Sequence, residues 1–577
     1  NTLIDTMRAT YTPLFLRNSF TVAPSERPSQ VVLTYLADDG CIIWINGMEV
    51  ERKRFDPAET PTIDDTGDNV SPEGLLETKT LTNPGTIFVD GINTVAVQVF
   101  NQQADSSDLI FDLKIGPPGS DQVEPTPTPG GPNLVLATNA APNIRKVNHT
   151  PEQPTASDQV VITALVTDPD GVASVEVAYQ VVRPGRYLPA RLPYDAPNIP
   201  VQNELQDNPD YDLPGNWTTV TMVDDGSGDD ALAGDDIYTA TLPTQGHRTL
   251  VRYRITIEDS QGLSERVPYA DDPSLNFAYF VYDGLPGWAG SFTPGGAVQS
   301  FPATLMDDFP VYHLIANQSD VINSQYSGGS DGVHMLGTVV YDGEVYDHME
   351  FENRGEASTY VSGKNKWRLH YNRARSFEGR DDWGKKYDSP WNKMNFEGCS
   401  SPWAAVNRGM AGLDEAISSR LYALAGVPSP RTNYFHFRVI DNATEVHPSD
   451  QYEGDLWGLY LALEHPDGSF LNDRNLPDGN VYKIEGGSGD KKEQGASQPK
   501  NSSDWNSFYS FSNSTQNAAA WEATMDMPTY YSFRAVNRIN GNVDLRTGYN
   551  HYFYHHPDDY WVVMPWDLDM MWISETH

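Results

Sequence analysis

Tyr560-Trp-Val-Val-Met-Pro-Trp-Asp-Leu-Asp569 carries an apolar strand pattern straight into two carboxylates one residue apart. Side chains at i and i+2 of a strand share a face. An extended reading therefore sets Asp567 and Asp569 side by side as hard oxygen ligands, suited to Mg²⁺ or Mn²⁺ and the phosphates such ions carry. Acidic doublets are also ordinary solvated surface, so the segments upstream have to choose between the two readings.

Just upstream, Gly541-Asn-Val-Asp-Leu-Arg-Thr-Gly-Tyr-Asn-His-Tyr-Phe-Tyr554 sets Asp544 six residues before Asn550. His551, His555 and His556 cluster there too, but their Tyr and Pro neighbours favour a structural role over zinc. Leu456-Trp-Gly-Leu-Tyr-Leu-Ala-Leu-Glu464 reads as a strand buried on both faces, and Asp478-Gly-Asn-Val-Tyr-Lys483 follows it. Between Ala411 and Ala425, apolar residues at 413, 416, 417, 421 and 424 form a helical stripe. Gly426 and Pro428 end that helix, and Glu415, off the stripe, could reach a basic partner but reads more simply as surface. Lys364-Asn-Lys-Trp-Arg-Leu-His370 puts Lys366, Arg368 and His370 on one strand face, a phosphate-site pattern. Asp342-Gly343 predicts a tight hairpin, and the Trp-, Lys- and Asp-rich segment 381–403 reads as an insertion.

Seven motifs stand in fixed order: Val-Val-Tyr-Asp-Gly-Glu-Val-Tyr-Asp, Arg-Gly-Glu-Ala-Ser, Lys-Asn-Lys-Trp-Arg-Leu, Trp-Gly-Leu-Tyr-Leu-Ala-Leu-Glu, Asp-Gly-Asn-Val-Tyr-Lys, Gly-Asn-Val-Asp with Asn-His-Tyr-Phe-Tyr, and Pro-Trp-Asp-Leu-Asp. In that order, over roughly residues 305–575, the chain resembles the CotH family of atypical protein kinases. The resemblance implies a diverged kinase-like fold that binds ATP with Mg²⁺ or Mn²⁺ and phosphorylates Ser or Thr of extracellular proteins. It implies Asp544 as the catalytic aspartate that orients or deprotonates the acceptor hydroxyl, and Asn550 as the catalytic-loop asparagine on a second metal. Asp567 becomes the metal-binding aspartate and Asp569 its neighbour or substitute. Lys366 becomes the phosphate-contacting lysine, with Glu464 and Lys483 as further cofactor-binding residues. Phosphoryl transfer needs positioning and charge neutralisation more than covalent help, which agrees with such a set. The alternative is a non-catalytic structural or adhesive component that uses the kinase-like domain as a scaffold.

Outward from that region the chain turns β-rich. In the first hundred or so residues, Val31-Val-Leu-Thr-Tyr-Leu36 and Ile42-Ile-Trp-Ile45 are strands, Asn46-Gly47 a hairpin turn, and Asn93 to Val99 alternates in period two. The pattern resembles galactose-binding-like jelly-roll modules, which implies a possible carbohydrate ligand, although Trp44 is as readily core as sugar platform. Pro and Thr residues around 117–133 form a linker. Strands at Val160 to Val166, Ala173 to Tyr179 and Leu250 to Ile257 resemble an immunoglobulin or fibronectin type III-like module. Its loop 224–236 holds six carboxylates in thirteen residues. Asp224, Asp225, Asp229 and Asp235 are its candidate structural Ca²⁺ ligands.

The expected architecture is multidomain: two all-β sandwiches (1–116 and 134–290, joined by the linker 117–133) followed by an α+β atypical protein-kinase-like domain (300–577). Across 577 residues the formal charge is −40, a field that repels nucleic acid and anionic membranes. Only Cys41 and Cys399 are present, expected as free buried thiols rather than a disulfide framework. No run of about 18 apolar residues occurs, so no transmembrane segment is predicted. An opening on Asn1 without a leader, and a stop soon after the acidic pair, lead us to expect a segment of a longer secreted or cell-surface bacterial polypeptide, whose partners are protein substrates or matrix proteins.

Overall fold

A computed structural model describes residues 12–22, 30–37, 40–55, 61–62, 66, 76–81, 84–101, 111–116, 139–192, 206–269, 272–291, 296–326, 334–354, 364–372, 375–381, 384–399, 410–445, 454–486, 488–542 and 549–572. The linker 117–133 and the acidic turn residues Asp38 and Asp39 lie outside these. The chain forms two compact units, Asn1–Thr138 and Asn139–His577.

The first unit is a β-sandwich. One sheet runs Pro13–Val22, Gly91–Phe100, Gly40–Ile45, Met48–Lys53; the other runs Leu76–Leu81, Val31–Ala37, Phe111–Gly116. Period-two alternation sends Leu33, Tyr35, Cys41, Ile43, Val97 and Val99 into the core between them. Asn46 and Gly47 both take positive φ, 51° and 82°, as the predicted hairpin turn requires. Trp44 is half-buried beside Ile42, Phe55 and Phe100, so at least part of its surface serves packing.

The second unit begins with another sandwich. Asn143–Thr150, Val160–Thr167 and Ile237–Leu242 face a sheet built on Val172–Val182 and Thr249–Asp259. It packs onto a closed seven-stranded barrel whose ring order is Val311–Ile315, Met335–Tyr341, Glu344–Arg354, Lys366–His370, Lys393–Glu397, Leu456–Glu464, Thr432–Ile440. All pairings are antiparallel except the closing one between the first and last of these. Tyr312, Phe351, Trp367, Leu369, Met394, Phe396, Phe437 and Tyr460 fill the interior. Each such side chain contributes roughly 2–3 kcal/mol on burial, so this interior sets the positions of the outward-facing polar residues.

Within the segment 381–403, Lys393–Glu397 is a barrel strand paired on both sides, so that part of it is no insertion. Asp342 and Gly343 adopt φ 53° and 80° at the predicted hairpin.

A four-stranded sheet follows, ordered Ser488–Glu493, Asn480–Glu485, His551–His556, Tyr560–Pro565, with helices Ser503–Ser512, Ala518–Thr524 and Met527–Asn540 beside it. Asp526 caps the last helix by accepting from the Thr529 amide at 3.1 Å. That helix packs through Phe533 and Val536 against Tyr422, Val563, Leu568 and Met571. The described residues are thus mostly β, with a barrel and a helix-flanked sheet where an α+β domain was expected. Among them no helix is long and apolar enough to cross a membrane. Both cysteines are free, Cys41 buried and Cys399 only half-buried.

Candidate functional site

The strand Lys366–His370 alternates as the sequence predicts: Trp367 and Leu369 point into the barrel, while Lys366, Arg368 and His370 lie on its outer face. Lys366 Nζ sits 2.7 Å from Glu397 Oε2, 3.5 Å from Asp569 Oδ2 and 3.9 Å from Asp567 Oδ1. Arg354, on the neighbouring strand, pairs with the other oxygen of Glu397 and lies over the Trp566 ring at 5.4 Å.

Asp567 and Asp569 meet Lys366, but not as a strand pair. The strand ends at Pro565, and Asp567 turns the chain at φ 56°. Leu568 is buried in the apolar cluster below; anchoring it leaves the carboxylates on either side free to reach the same ammonium group.

The helix Leu413–Leu424 overturns its sequence reading. Its predicted stripe is largely outside, with Leu413, Ile417 and Leu424 exposed, the last at 70%, whereas Asp414, Glu415, Ser418, Ser419 and Tyr422 are buried. Glu415 is 2% exposed and accepts from the Leu568 amide at 3.4 Å. It is thus part of the site rather than surface. A polar face turned inward is costly unless partnered, and here it faces Lys366 and the acidic loop. The helix does end as predicted: the Gly426 amide donates to Ala423 at 3.1 Å and the Val427 amide to Tyr422 at 2.9 Å, with Gly426 at φ 81°.

Among the described residues, four carboxylates (Glu397, Glu415, Asp567, Asp569) surround two cations (Lys366, Arg354). The charges register this excess. Burial, only partly offset by Lys366 and reinforced by Asp567 and Glu397, pushes the Asp569 carboxyl up to about 7. Burial and then the neighbouring Glu397 and Asp569 push Glu415 well above the carboxylate range. Burial alone would lower the Lys366 ammonium, but Glu397, Asp569 and Asp567 together raise it. Carboxylate oxygens such as those of Asp567 and Asp569 are hard donors of the kind that Mg²⁺ or Mn²⁺ takes.

The remaining predicted residues are placed as follows. Asn550 sits at φ 60° just before the His551–Pro565 pair, at the hairpin end that leads into Asp567. Asp544 lies outside the described residues, as do residues 355–358 of the Arg-Gly-Glu-Ala-Ser motif. Glu464 is not in the cluster: both its oxygens take Arg474, at 3.0 and 2.7 Å, and one also takes the Arg431 amide. Lys483 lies on Asn480–Glu485 opposite Asp490 and Tyr552. Arg368 and His370 share the face of Lys366 but engage Glu352 instead, each about 3 Å from its Oε1.

The three C-terminal histidines do not converge. His551 Nδ1 meets the Tyr549 carbonyl at 2.6 Å, His555 lies between Asp504 and Asp559, and His556 accepts from the Asp558 amide. In the acidic loop, Asp224, Asp230 and Asp235 come together. Asp225 instead accepts from Ser227 and Asp229 from Thr241. Of the predicted Ca²⁺ ligands, Asp224 and Asp235 are therefore joined by Asp230, and Asp225 and Asp229 are turned aside.

Residues 354–577 match the family model described as CotH kinase protein. This CotH-like region, 354–577, is what the chain shares with that family. The match begins at the end of the strand Glu344–Arg354, although the barrel that presents Lys366 already starts at Val311. No curated protein matches the chain. Among solved structures, a glycosyl hydrolase family 2 member from Bacteroides cellulosilyticus is 12% identical over 53% of this chain and 30% of its own, at a TM-score of 0.14. A beta-glucuronidase from Ruminococcus gnavus is 10% identical over 50% and 38%, also at 0.14. The chain thus spans about a third of the length of these structures, and likenesses of that size support neither a fold nor an activity.

Sequence reasoning missed Glu397 because its segment read as an insertion, and discounted Glu415 because its helix read as conventionally amphipathic. The signal for Glu415 was the pair Asp414-Glu415 followed by Ser418-Ser419, a polar stripe at helical spacing opposite the apolar one.

Proposed function

We propose that the CotH region is an ATP- and divalent-metal-dependent phosphotransferase acting on Ser or Thr hydroxyls of extracellular proteins, in a secreted or cell-surface modular protein. The observation that carries this reading is Lys366, ion-paired to Glu397 and within 4 Å of both Asp567 and Asp569. Asp567 and Asp569, with Asn550 at the same hairpin end, would hold Mg²⁺ or Mn²⁺, which neutralises phosphate charge when bound. Lys366, held in place by Glu397, would orient the transferred phosphate. Glu415 fixes the Leu568 amide and hence the loop between the two aspartates. Asp544 would accept the proton of the attacking hydroxyl as the γ-phosphoryl leaves ADP.

Incubating the full chain with radiolabelled ATP and Mn²⁺ should label protein, itself or an added acceptor, and Asp567→Ala should reduce labelling by at least ~100-fold. Labelling equal in the two proteins would sink the proposal. A scaffold role is the second reading, favoured by the buried Arg252–Asp347 pair that joins sandwich to barrel. Full-length protein that binds no ATP in calorimetry would favour it.

A further inference from the structure

On the same outer barrel face as Lys366, but at the other end of its strand, a second polar cluster stands apart from the carboxylates around that lysine. Glu350 and Glu352 lie two apart on Glu344–Arg354, His370 ends the next strand opposite Glu350, and His334 lies one residue beyond the Met335–Phe351 pair on the strand to the other side. Three adjacent strands thus bring two imidazoles to one buried carboxylate. His334 Nε2 is 3.0 Å from Glu352 Oε2 and His370 Nε2 is 3.1 Å from Glu352 Oε1. The ring centroids are 5.1 Å apart, and one donor atom from each of the three residues lies within 4.8 Å of the others.

We propose that His334, Glu352 and His370 bind a divalent cation of the zinc class. Two imidazole nitrogens and one carboxylate oxygen are a donor set that zinc takes with a fourth position left to water. A tetrahedral ion with ~2.0–2.1 Å bonds needs donors ~3.3 Å apart, and each imidazole nitrogen already lies 3.0–3.1 Å from one oxygen of Glu352. Glu352 is nearly fully buried, whereas both histidines are partly exposed, so the cluster opens to solvent on one side. A further observation concerns the far nitrogen of His334: Nδ1 lies 2.7 Å from Glu350 Oε2. A carboxylate on the non-ligating nitrogen of a metal-bound histidine fixes its ring and tautomer, and that nitrogen is the one held here.

Two cations border the cluster. Arg368 donates to Glu352 Oε1 at 3.0 Å, and Lys393 acts on His370 from the adjoining strand. Glu352 can keep Arg368 on Oε1 while Oε2 turns to the metal, so the guanidinium offsets the carboxylate's remaining charge. An ion there would clip together the three strands Met335–Tyr341, Glu344–Arg354 and Lys366–His370, and so stiffen the strand that carries Lys366. Its donors are nitrogen-rich, unlike the all-oxygen carboxylates around Asp567, which separates the two sites chemically.

The test is metal content of the full chain. Chelator-treated protein is equilibrated with micromolar zinc, desalted and measured by atomic emission, in parallel with His334→Ala, His370→Ala and Asp567→Ala. The expected result is about one zinc per chain in the wild type and in Asp567→Ala, with loss in both histidine variants. Cobalt(II) should give the intense visible absorption of a four-coordinate site in the same two proteins only. If a histidine variant fails to fold by circular dichroism, His334→Gln replaces it. No retained zinc in the wild type, zinc undiminished in the histidine variants, or zinc lost in Asp567→Ala would each overturn the proposal. None of these outcomes depends on phosphoryl transfer, so the two proposals fail separately.

Discussion

Two of the clusters of cations and carboxylates buried in the second unit are built on opposite terms. At the junction of sandwich and barrel, Arg252 and Asp347 form a one-to-one pair with two contacts, 2.7 and 2.9 Å, between the Tyr187 and Tyr211 rings. The remaining capacity of Asp347 is taken by Thr338, Asn276 and the His348 amide, and Gln180 and the Leu188 carbonyl take Arg252. Burial opposes ionisation of Asp347, yet Arg252 wins and holds its carboxyl far below the usual range. Around Lys366 the balance fails: carboxylates outnumber cations, and Asp569 and Glu415 are driven up instead. A satisfied pair serves as a joint between modules. A surplus of like charge, kept by a rigid frame, is what a bound cation would relieve.

The same substitution should therefore have opposite signs in the two places. Asp347→Asn strands the Arg252 charge in a closed interface, and chemical denaturation should show a loss of ~3–5 kcal/mol. Asp569→Asn removes a crowded charge, and the thermal midpoint at pH 8 should stay or rise. If both variants lose stability alike, the contrast is wrong.

Next in size is activity. Asp567→Ala should abolish phosphoryl transfer by the ~100-fold or more given above while leaving the thermal midpoint near wild type, whereas Asp347→Asn should lower the midpoint and leave residual activity below its melting range.

Adding Mg²⁺ or Mn²⁺ at 100 times its dissociation constant should stabilise the protein by ~2.7 kcal/mol, read as a raised midpoint. Asp569→Asn should remove that shift. A full shift in the variant would mean the ion binds elsewhere.

The pH dependence sharpens the same contrast. Asp347 has a folded value below its unfolded one, so its stabilisation is present above the unfolded carboxylate value and is lost as pH falls further. Asp569 has a folded value raised to about 7; the folded state then holds more protons than the unfolded, and stability falls as pH rises from about 4 to about 7. Denaturation curves across that window should show a downward slope in the wild type that flattens in Asp569→Asn.

Much of this was legible in the chain itself. The Asn46-Gly47 and Asp342-Gly343 turns, the alternation of Lys366 with Trp367, and the stop at Gly426 follow from local sterics and period-two patterning, which need no distant partner. Placing Lys366 with Asp567 and Asp569 came from the order of motifs, since nothing local ties residues two hundred positions apart.

What the sequence determined by itself was the strand content, the turns and the identity of the charged residues beside them, because these depend on neighbours within a few positions. Tertiary structure alone decided which charges share a site. Barrel closure turned Lys393–Glu397 from an apparent insertion into a wall that presents Glu397. Burial of Tyr422 with Phe533 turned the polar stripe of Leu413–Leu424 inward and brought Glu415 to the Leu568 amide. Asp567 and Asp569 meet the same ammonium group not by strand alternation but because a left-handed turn and the anchored Leu568 aim them there. Packing of apolar surface fixed those orientations, and a one-dimensional pattern does not record which face the rest of the fold will cover.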